Sequence, residues 1–348
     1  MEPRPIEPSL IGDISLIIVH YNGLNQLRRC LDSVLASDAK AAEVLVVDNA
    51  SLDSCSETIG PEYPQVRFVK SPRNLGSAGG WNAGARAATR DLLVFLNDDV
   101  VVAPQWIGML GSNLANPAMG CASGVAVFLD EPGTINSAGG LLDFLGFAQN
   151  RAIGARREGF PRNAYPHPFY AVGTVFATRR QIWERTAGFD ERMFMYADDM
   201  DWSWRIRLLG YAITLDERVI VYHKWRGSGL NLDRMVYYLE RNEVSAVLKN
   251  YGSAAIAWIA PSFLAVKLAK ASLLALVNRS LFRAVLAAWY WNLRNLRETL
   301  LMRKEVQSKR RVTDRMIVRH MVIGSLELRD AFGWTYHPLR SLVGDHRA

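Results

Sequence analysis

Two neighbouring acids, Asp98 and Asp99, stand in VFLNDDVVV (Val94–Val102), where one apolar run ends and another begins. Adjacent carboxylates repel, so the placement asks for a reason. A chain reversal is one, because Asn and Asp suit turns after strands. A divalent cation is the other, because oxygen ligands cancel the ion's charge and their own repulsion. A second acidic group sits in FMYADDMDWSWRIRLLG, with Asp198, Asp199 and Asp201 in one helical turn. One acid suffices to cap a helix. Trp202, Ile206 and Leu209 form an i, i+4, i+7 stripe that must face the interior. Asp199, one turn before Trp202, points to the same side. A carboxylate held in a cleft can take a proton from a hydroxyl nucleophile.

Three further stretches carry polar groups. Asp48, with Asn49 and Ser51, follows a buried run; it reads as an Asx turn or as an acceptor for the imide N–H of a uracil or thymine base. PRNLGSAGGWNAG (Pro72–Gly84) gathers Gly76, Gly79, Gly80 and Gly84 around Asn74 and Asn82. Such glycines let backbone approach a ligand, and a helix opening there offers N–H donors to phosphate. The spacing is neither G-x-G-x-x-G nor a P-loop, so the dehydrogenase and kinase readings lose their main support. His223, in VYHKW, is either a structural histidine or a third ligand beside Asp99, in which case Mn2+ or Mg2+ suits the donor set.

The elements that must position these groups are legible as alternation. ISLIIV, EVLVVD, VRFVK and LLVFL read as four buried strands, with an apolar helical stripe at Leu24, Leu27, Leu31, Val34 and Leu35 and a helix through Ala83–Thr89. Strand–helix alternation predicts an α/β fold with a mostly parallel sheet, whose ligands collect beyond the carboxyl ends of the strands. His20–Asn22, Asp48–Ser51 and Asn97–Asp99 all fall there. The half that follows has strand-like runs at GVAVFL, FYAVGTVFAT and VIVYHKW, and the Gly- and Pro-rich stretch Asp130–Pro168 reads as loops.

Composition bounds the class. The chain has 348 residues, 49% hydrophobic and 22% charged, as a globular protein has. Cys30, Cys55 and Cys121 are scattered, which speaks against a disulfide framework or a zinc site. The first residues lack an apolar stretch of signal-peptide length, so a cytoplasmic location is expected. The net charge of +7 is uneven: Gly252 to Arg311 holds eleven Lys and Arg against two acids, and the rest is near neutral. Ala254–Val277 is long enough to span a bilayer, but Lys267, Lys270 and Asn278 fall near one stripe and Pro261 interrupts. The next helix sets Arg283, Arg294 and Arg297 beside Trp289, Tyr290 and Trp291. Basic, aromatic amphipathic helices of this kind suit an anionic membrane surface. A helical cap on the catalytic core or a homo-oligomer contact is the other account.

In order and spacing, IIVHYNG, VVDNAS, NLGSAGGWNAG with FLNDDV, and FMYADDMDWSWRIRLLGY resemble the inverting nucleotide-sugar glycosyltransferases of family 2, closest to the bacterial rhamnosyltransferase-like branch. The resemblance runs from about Ile14 to Gly229. It implies a GT-A fold, divided here into an N-terminal extension (1–13), a catalytic domain (14–251, with a nucleotide-binding half 14–119 and an acceptor-binding half 120–251) and a basic helical region (252–348). It implies that Asp48 binds the donor's pyrimidine with Tyr21 and Asn22 lining the pocket. His20, Asn49, Ser51, Asn74, Gly76, Gly79, Gly80, Asn82, Asn97 and Asp98 complete the nucleotide-sugar site. Asp99 ends a DXD-type motif and holds Mn2+ or Mg2+ with His223; whether Asp98 shares the ion is left open. Asp199 is the catalytic base, and Gly173, Asp198 and Trp202 line the acceptor side.

The implied reaction transfers a sugar, dTDP-rhamnose being the expected donor, to a saccharide or polyprenyl-linked saccharide of a surface polysaccharide, at the inner face of the cell membrane. The rivals are a UDP-hexose or UDP-galactofuranose transferase of the same fold, and a nucleotide-sugar-binding protein without catalysis. No groove-reading motif supports a nucleic-acid partner.

Overall fold

The computed structural model describes residues 13–158, 160, 167–224 and 231–327. Nearly all of the expected N-terminal extension, and the basic region beyond 327, lie outside them. The first half alternates as expected: β1 (Ile14–His20), α1 (Leu24–Leu35), β2 (Glu43–Asp48), a single helical turn α2 (Cys55–Thr58), β3 (Val66–Lys70), α3 (Gly76–Ala87) and β4 (Leu92–Asn97). All three pairings in the order β3–β2–β1–β4 are parallel.

Both faces of β1, β2 and β4 are covered, so they read as nearly unbroken apolar runs. Ile14, Leu16 and Ile18 of β1 pack under Leu27, Cys30, Leu31 and Val34 of α1. Ile17 points the other way, into a core with Ala78, Trp81 and Ala85 of α3. Period-two alternation along one strand thus divides the interior into two cores.

The second half continues the sheet and mixes its directions. After β5 (Val100–Val102) and α4 (Trp106–Ser112) come β6 (Met119–Phe128) and three short strands, β7 (Ile135–Ser137), β8 (Gly140–Leu142) and β9 (Ala148–Asn150). The stretch expected to be loops therefore carries three strands. Next are β10 (Val175–Arg179), α5 (Arg180–Arg185), α6 (Asp198–Leu208) and β11 (Ala212–His223). Strand β10 lies antiparallel between β4 and β6, and β11 runs parallel to β6 with β5 antiparallel on its far side.

Among the described residues, four long helices follow: α7 (Leu232–Asn250), α8 (Ser253–Val277), α9 (Arg279–Arg294) and α10 (Leu296–Lys309), then the short α11 (Asp314–Val318). They share a third core with the second half of the sheet domain, in which Ile259, Ile317 and Met321 meet Leu142, Phe147, Phe169 and Trp204. Buried ion pairs fasten them. Lys249 of α7 reaches Asp190 at 2.6 Å and Asp201 of α6 at 3.1 Å. Lys267 of α8 reaches Glu240 at 3.0 Å and Glu243 at 2.8 Å, with its ammonium 4.7 Å from the Phe147 ring centroid.

A candidate active site at the strand ends

Register carries the site. His20 pairs with Asp48 across β1 and β2, Val19 with Asn97 across β1 and β4, and His223 with Val100 across β11 and β5. The carboxyl ends of β2, β1, β4 and β11 therefore meet at one edge, and the Asp98–Asp99 turn between β4 and β5 sits opposite the end of β11.

Within this turn the two acids separate. Asp98 Oδ2 lies 2.6 Å from His20 Nδ1, and His20 Nε2 lies 3.2 Å from Asp53. Burial disfavours a charged His20, yet its contacts with Asp98 and Asp53 outweigh that and raise its pKa. Burial raises the Asp98 carboxyl. His20 is fully buried, so the expectation that it touches the nucleotide is corrected: it braces the acidic turn from within. Asp53, which also accepts from Gly23 N at 2.8 Å, was missed by the sequence reading.

Asp99 has a different partner. Its Oδ1 is buried without a hydrogen bond, 3.3 Å from His223 Nε2. His223 Nδ1 lies 2.9 Å from Asn136 Oδ1, and with the amide assigned this way the ring donates from Nδ1 and turns the Nε2 lone pair toward Asp99. An orphaned carboxylate oxygen and an imidazole lone pair facing each other fit a divalent cation, and Asn136 orients the imidazole as partners of ligating histidines do. The cluster His20, Asp53 and Cys55 also brings ligand atoms within 4.8 Å. There both ring nitrogens are already taken by carboxylates, and burial pushes the Cys55 thiol up, so the group is a hydrogen-bond network.

Around Asp48 the loops are braided. Asp48 Oδ1 accepts from Ser51 N at 2.9 Å, and Asn22 Oδ1 from Leu52 N at 2.8 Å, while Tyr21 is 47% exposed. Asn49 clasps the loop after β3, accepting from Leu75 N at 2.8 Å and donating to Gly76 O at 3.0 Å and Asn74 Oδ1 at 3.2 Å.

The glycine-rich stretch needs a correction. The helix starts at Gly76 instead of Ala83, so most of these glycines lie inside α3. A Cβ on Gly80 would lie 2.6 Å from Val19 Cγ1, and one on Gly76, at φ +69°, 1.9 Å from Phe194 O. Gly79 faces Leu75, the residue just before α3. Asn82 is buried and accepts from Phe189 N at 2.9 Å while donating to Phe189 O at 2.9 Å. Gly76, Gly80 and Asn82 serve the close seating of α3 on β1 and on the segment before α6.

Asp199 lies in the first turn of α6, after an unusual run in which Phe194, Tyr196 and Ala197 all have positive φ. Its Oδ2 accepts from Gly173 N at 2.7 Å and its Oδ1 from Met200 N at 2.7 Å. Burial raises its carboxyl to about 6. Asp198, buried beside it, accepts from Ser77 Oγ at 2.8 Å and is raised by burial and then by the Asp199 charge, so the two titrate as a pair. Gly173 has no room for a side chain, since a Cβ would lie 2.6 Å from the Trp81 ring. The next residue, Thr174, accepts from Asn97 N at 3.3 Å, which ties the Asp199 clamp to the acidic turn. Trp202 is fully buried against Phe176 and Phe189, so its expected place on the acceptor side is corrected: it supports α6 from beneath. Asp201, the third acid, belongs to the buried pair with Lys249.

Comparisons with known proteins bear on the family and the fold. Residues 15–185 match the model of glycosyl transferase family 2. The O-antigen biosynthesis protein RfbC of Myxococcus xanthus is 28% identical over 222 residues, 60% of this chain; the chain spans only 17% of that protein's length. The N-acetylglucosaminyl-diphospho-decaprenol L-rhamnosyltransferase of Mycobacterium tuberculosis is 23% identical over 241 residues, 62% of this chain and 78% of that enzyme. The crystal structure of GalNAc-T7 with UDP, GalNAc and Mn2+ superposes with a TM-score of 0.57 at 17% identity, covering 70% of this chain and 48% of that one. The likeness to that structure is one of fold.

Proposed function

The chain belongs to glycosyl transferase family 2 through residues 15–185 and has the GT-A fold; from that premise we propose an inverting, metal-dependent glycosyltransferase. It moves a sugar, by preference from dTDP-rhamnose, to a hydroxyl of a saccharide or polyprenyl-linked saccharide in surface polysaccharide synthesis. The rhamnosyltransferase and O-antigen relatives support the choice of sugar and pathway class. Asp48 accepts the same imide N–H from thymine and uracil, so a UDP-hexose or UDP-galactofuranose donor is the second reading.

One observation carries the proposal: the orphaned Asp99 Oδ1 facing His223 Nε2, at the strand edge shared with Asp48 and tied through Thr174 and Gly173 to Asp199. Asp99 and His223 hold Mn2+ or Mg2+, which when bound offsets the charge of the donor's diphosphate. Asp199, fixed by two backbone N–H groups, takes the proton of the acceptor hydroxyl. The freed oxygen attacks the anomeric carbon from the face opposite the diphosphate, and one displacement inverts that centre. His20 and Gly173 act by holding Asp98 and Asp199 in place.

The test is a panel of dTDP-rhamnose, UDP-hexoses and UDP-galactofuranose with a synthetic saccharide acceptor. Nucleotide release and product anomer are followed with Mn2+ and after chelation. Metal-dependent transfer with inversion is expected; transfer with retention, or full activity after chelation, overturns the proposal.

A further inference from the structure

Helix α8 is built inside out for a protein surrounded by water. Its charges face inward: Lys267 is 2% exposed on Glu240 and Glu243, and Lys270 pairs with Glu240 and Glu327. Its apolar residues face outward, with Trp258 at 74%, Leu264 at 55%, Leu268 at 48%, Leu273 at 54% and Leu276 at 86% exposure. The helix is long and apolar enough to cross a membrane, yet only 17% of its most apolar stretch is buried. No charge interrupts the outward face from Ala254 to Val277. Single exposed leucines are ordinary on soluble proteins; a 25-residue face of this kind is not.

We propose that this face docks in plane on a lipid bilayer, at the boundary of headgroups and acyl chains. Packing argues for in-plane docking against spanning. Ile256, Ile259, Phe263 and Val266 belong to the core shared with Leu142, Phe147 and Trp204, so the inner face is committed to the catalytic domain along half its length. A span of about 37 Å would drag the Lys267–Glu243 cluster into hydrocarbon. Charge complementarity selects a bilayer over a second copy of the chain. On α9, which packs against α8, Arg279, Arg283, Leu286, Tyr290, Leu293 and Arg297 of the adjoining α10 recur at helical spacing, and all are exposed. Arginines interleaved with apolar residues match anionic headgroups over acyl chains, whereas two such stripes would repel each other. The inference rests on the proposed function and deepens it, because α8 shares a core with Trp204 of α6, the helix that carries Asp199.

Full-length protein is floated with phosphatidylcholine vesicles with and without phosphatidylglycerol. Co-flotation is expected, stronger on anionic vesicles and reduced at least tenfold by L264E/L268E. R283Q/R297Q is expected to weaken only the anionic component. Because the native cysteines are buried, A254C and V277C report topology. Both ends should label with an impermeant thiol reagent added outside the vesicles. Wild-type protein that fails to float, flotation indifferent to L264E/L268E, a dimer dissolved by L264E/L268E without lipid binding, or labelling at one end only would each overturn the proposal. Nucleotide release with a soluble acceptor, measured on every variant, reports folding and keeps a failure here distinct from failure of the glycosyltransferase reading.

Discussion

Two clusters of buried acids lie on either side of α6, and they differ in what neutralises them. Asp190 and Asp201 are met by Lys249, with Arg192 and Arg205 beside them, all within the chain. The Lys249 and Arg192 charges hold the Asp190 carboxyl below its ordinary range despite burial. Asp99, Asp198 and Asp199 have no lysine or arginine on them among the described contacts, and burial raises the last two. A buried acid with its own cation is a fastener. One left without a cation is held ready for a metal or for a proton, because its charge is otherwise too costly to bury.

Exchanging an acid of each kind for a neutral residue should separate the clusters. Asp199→Asn keeps the Gly173 contact and is expected to lower kcat by roughly 10²- to 10⁴-fold with the melting temperature nearly unchanged. Asp201→Ala should do the opposite: it strips Lys249 and Arg205 of a partner and is expected to cost about 3–5 kcal/mol in denaturant unfolding, as other broken buried pairs do. An active-site loss from Asp201→Ala without loss of stability would undo the division. Next in size, Asn136→Ala is expected to raise the Mn2+ concentration for half-maximal activity by about 10- to 100-fold, since it orients the His223 imidazole. His223→Ala should raise it further.

The smaller effects are in pH. Asp199 must be ionised to act as base, so kcat/KM should fall as pH drops through about 6. For stability the sign reverses. Asp198 is raised in the folded protein, so its contribution is fully present below the unfolded value of about 4 and is lost as pH rises through about 7. Asp198→Asn should therefore raise the melting temperature at pH 8 and leave it unchanged at pH 4.

The strand half of this site was legible because buried parallel strands leave unbroken apolar runs, and the residues ending them mark the edge where ligands gather. The α6 acids were legible as a group and the Trp202 stripe singled out Asp199, but the partner that sets Asp201 apart, Lys249, lies 48 residues on. The glycines of α3 misled for a related reason. Glycine permits close approach, and only the fold reveals that what approaches is Val19. Asn136 and Asp53 gave no signal, as each acts through a histidine distant in sequence. Lys267 and Lys270 were seen as a stripe, while the glutamates that draw it inward sit on another helix.

The left-handed run before α6 sets a limit on engineering. Phe194, Tyr196 and Ala197 each hold a backbone shape that costs a side-chain-bearing residue about 1–2 kcal/mol. Ala197→Gly should recover part of this as a higher melting temperature while letting the carboxylates wander, so that the mutant survives heating better and turns over more slowly. Selection for robustness alone would rewrite these three positions first, and the protein it produced would be tougher and idle.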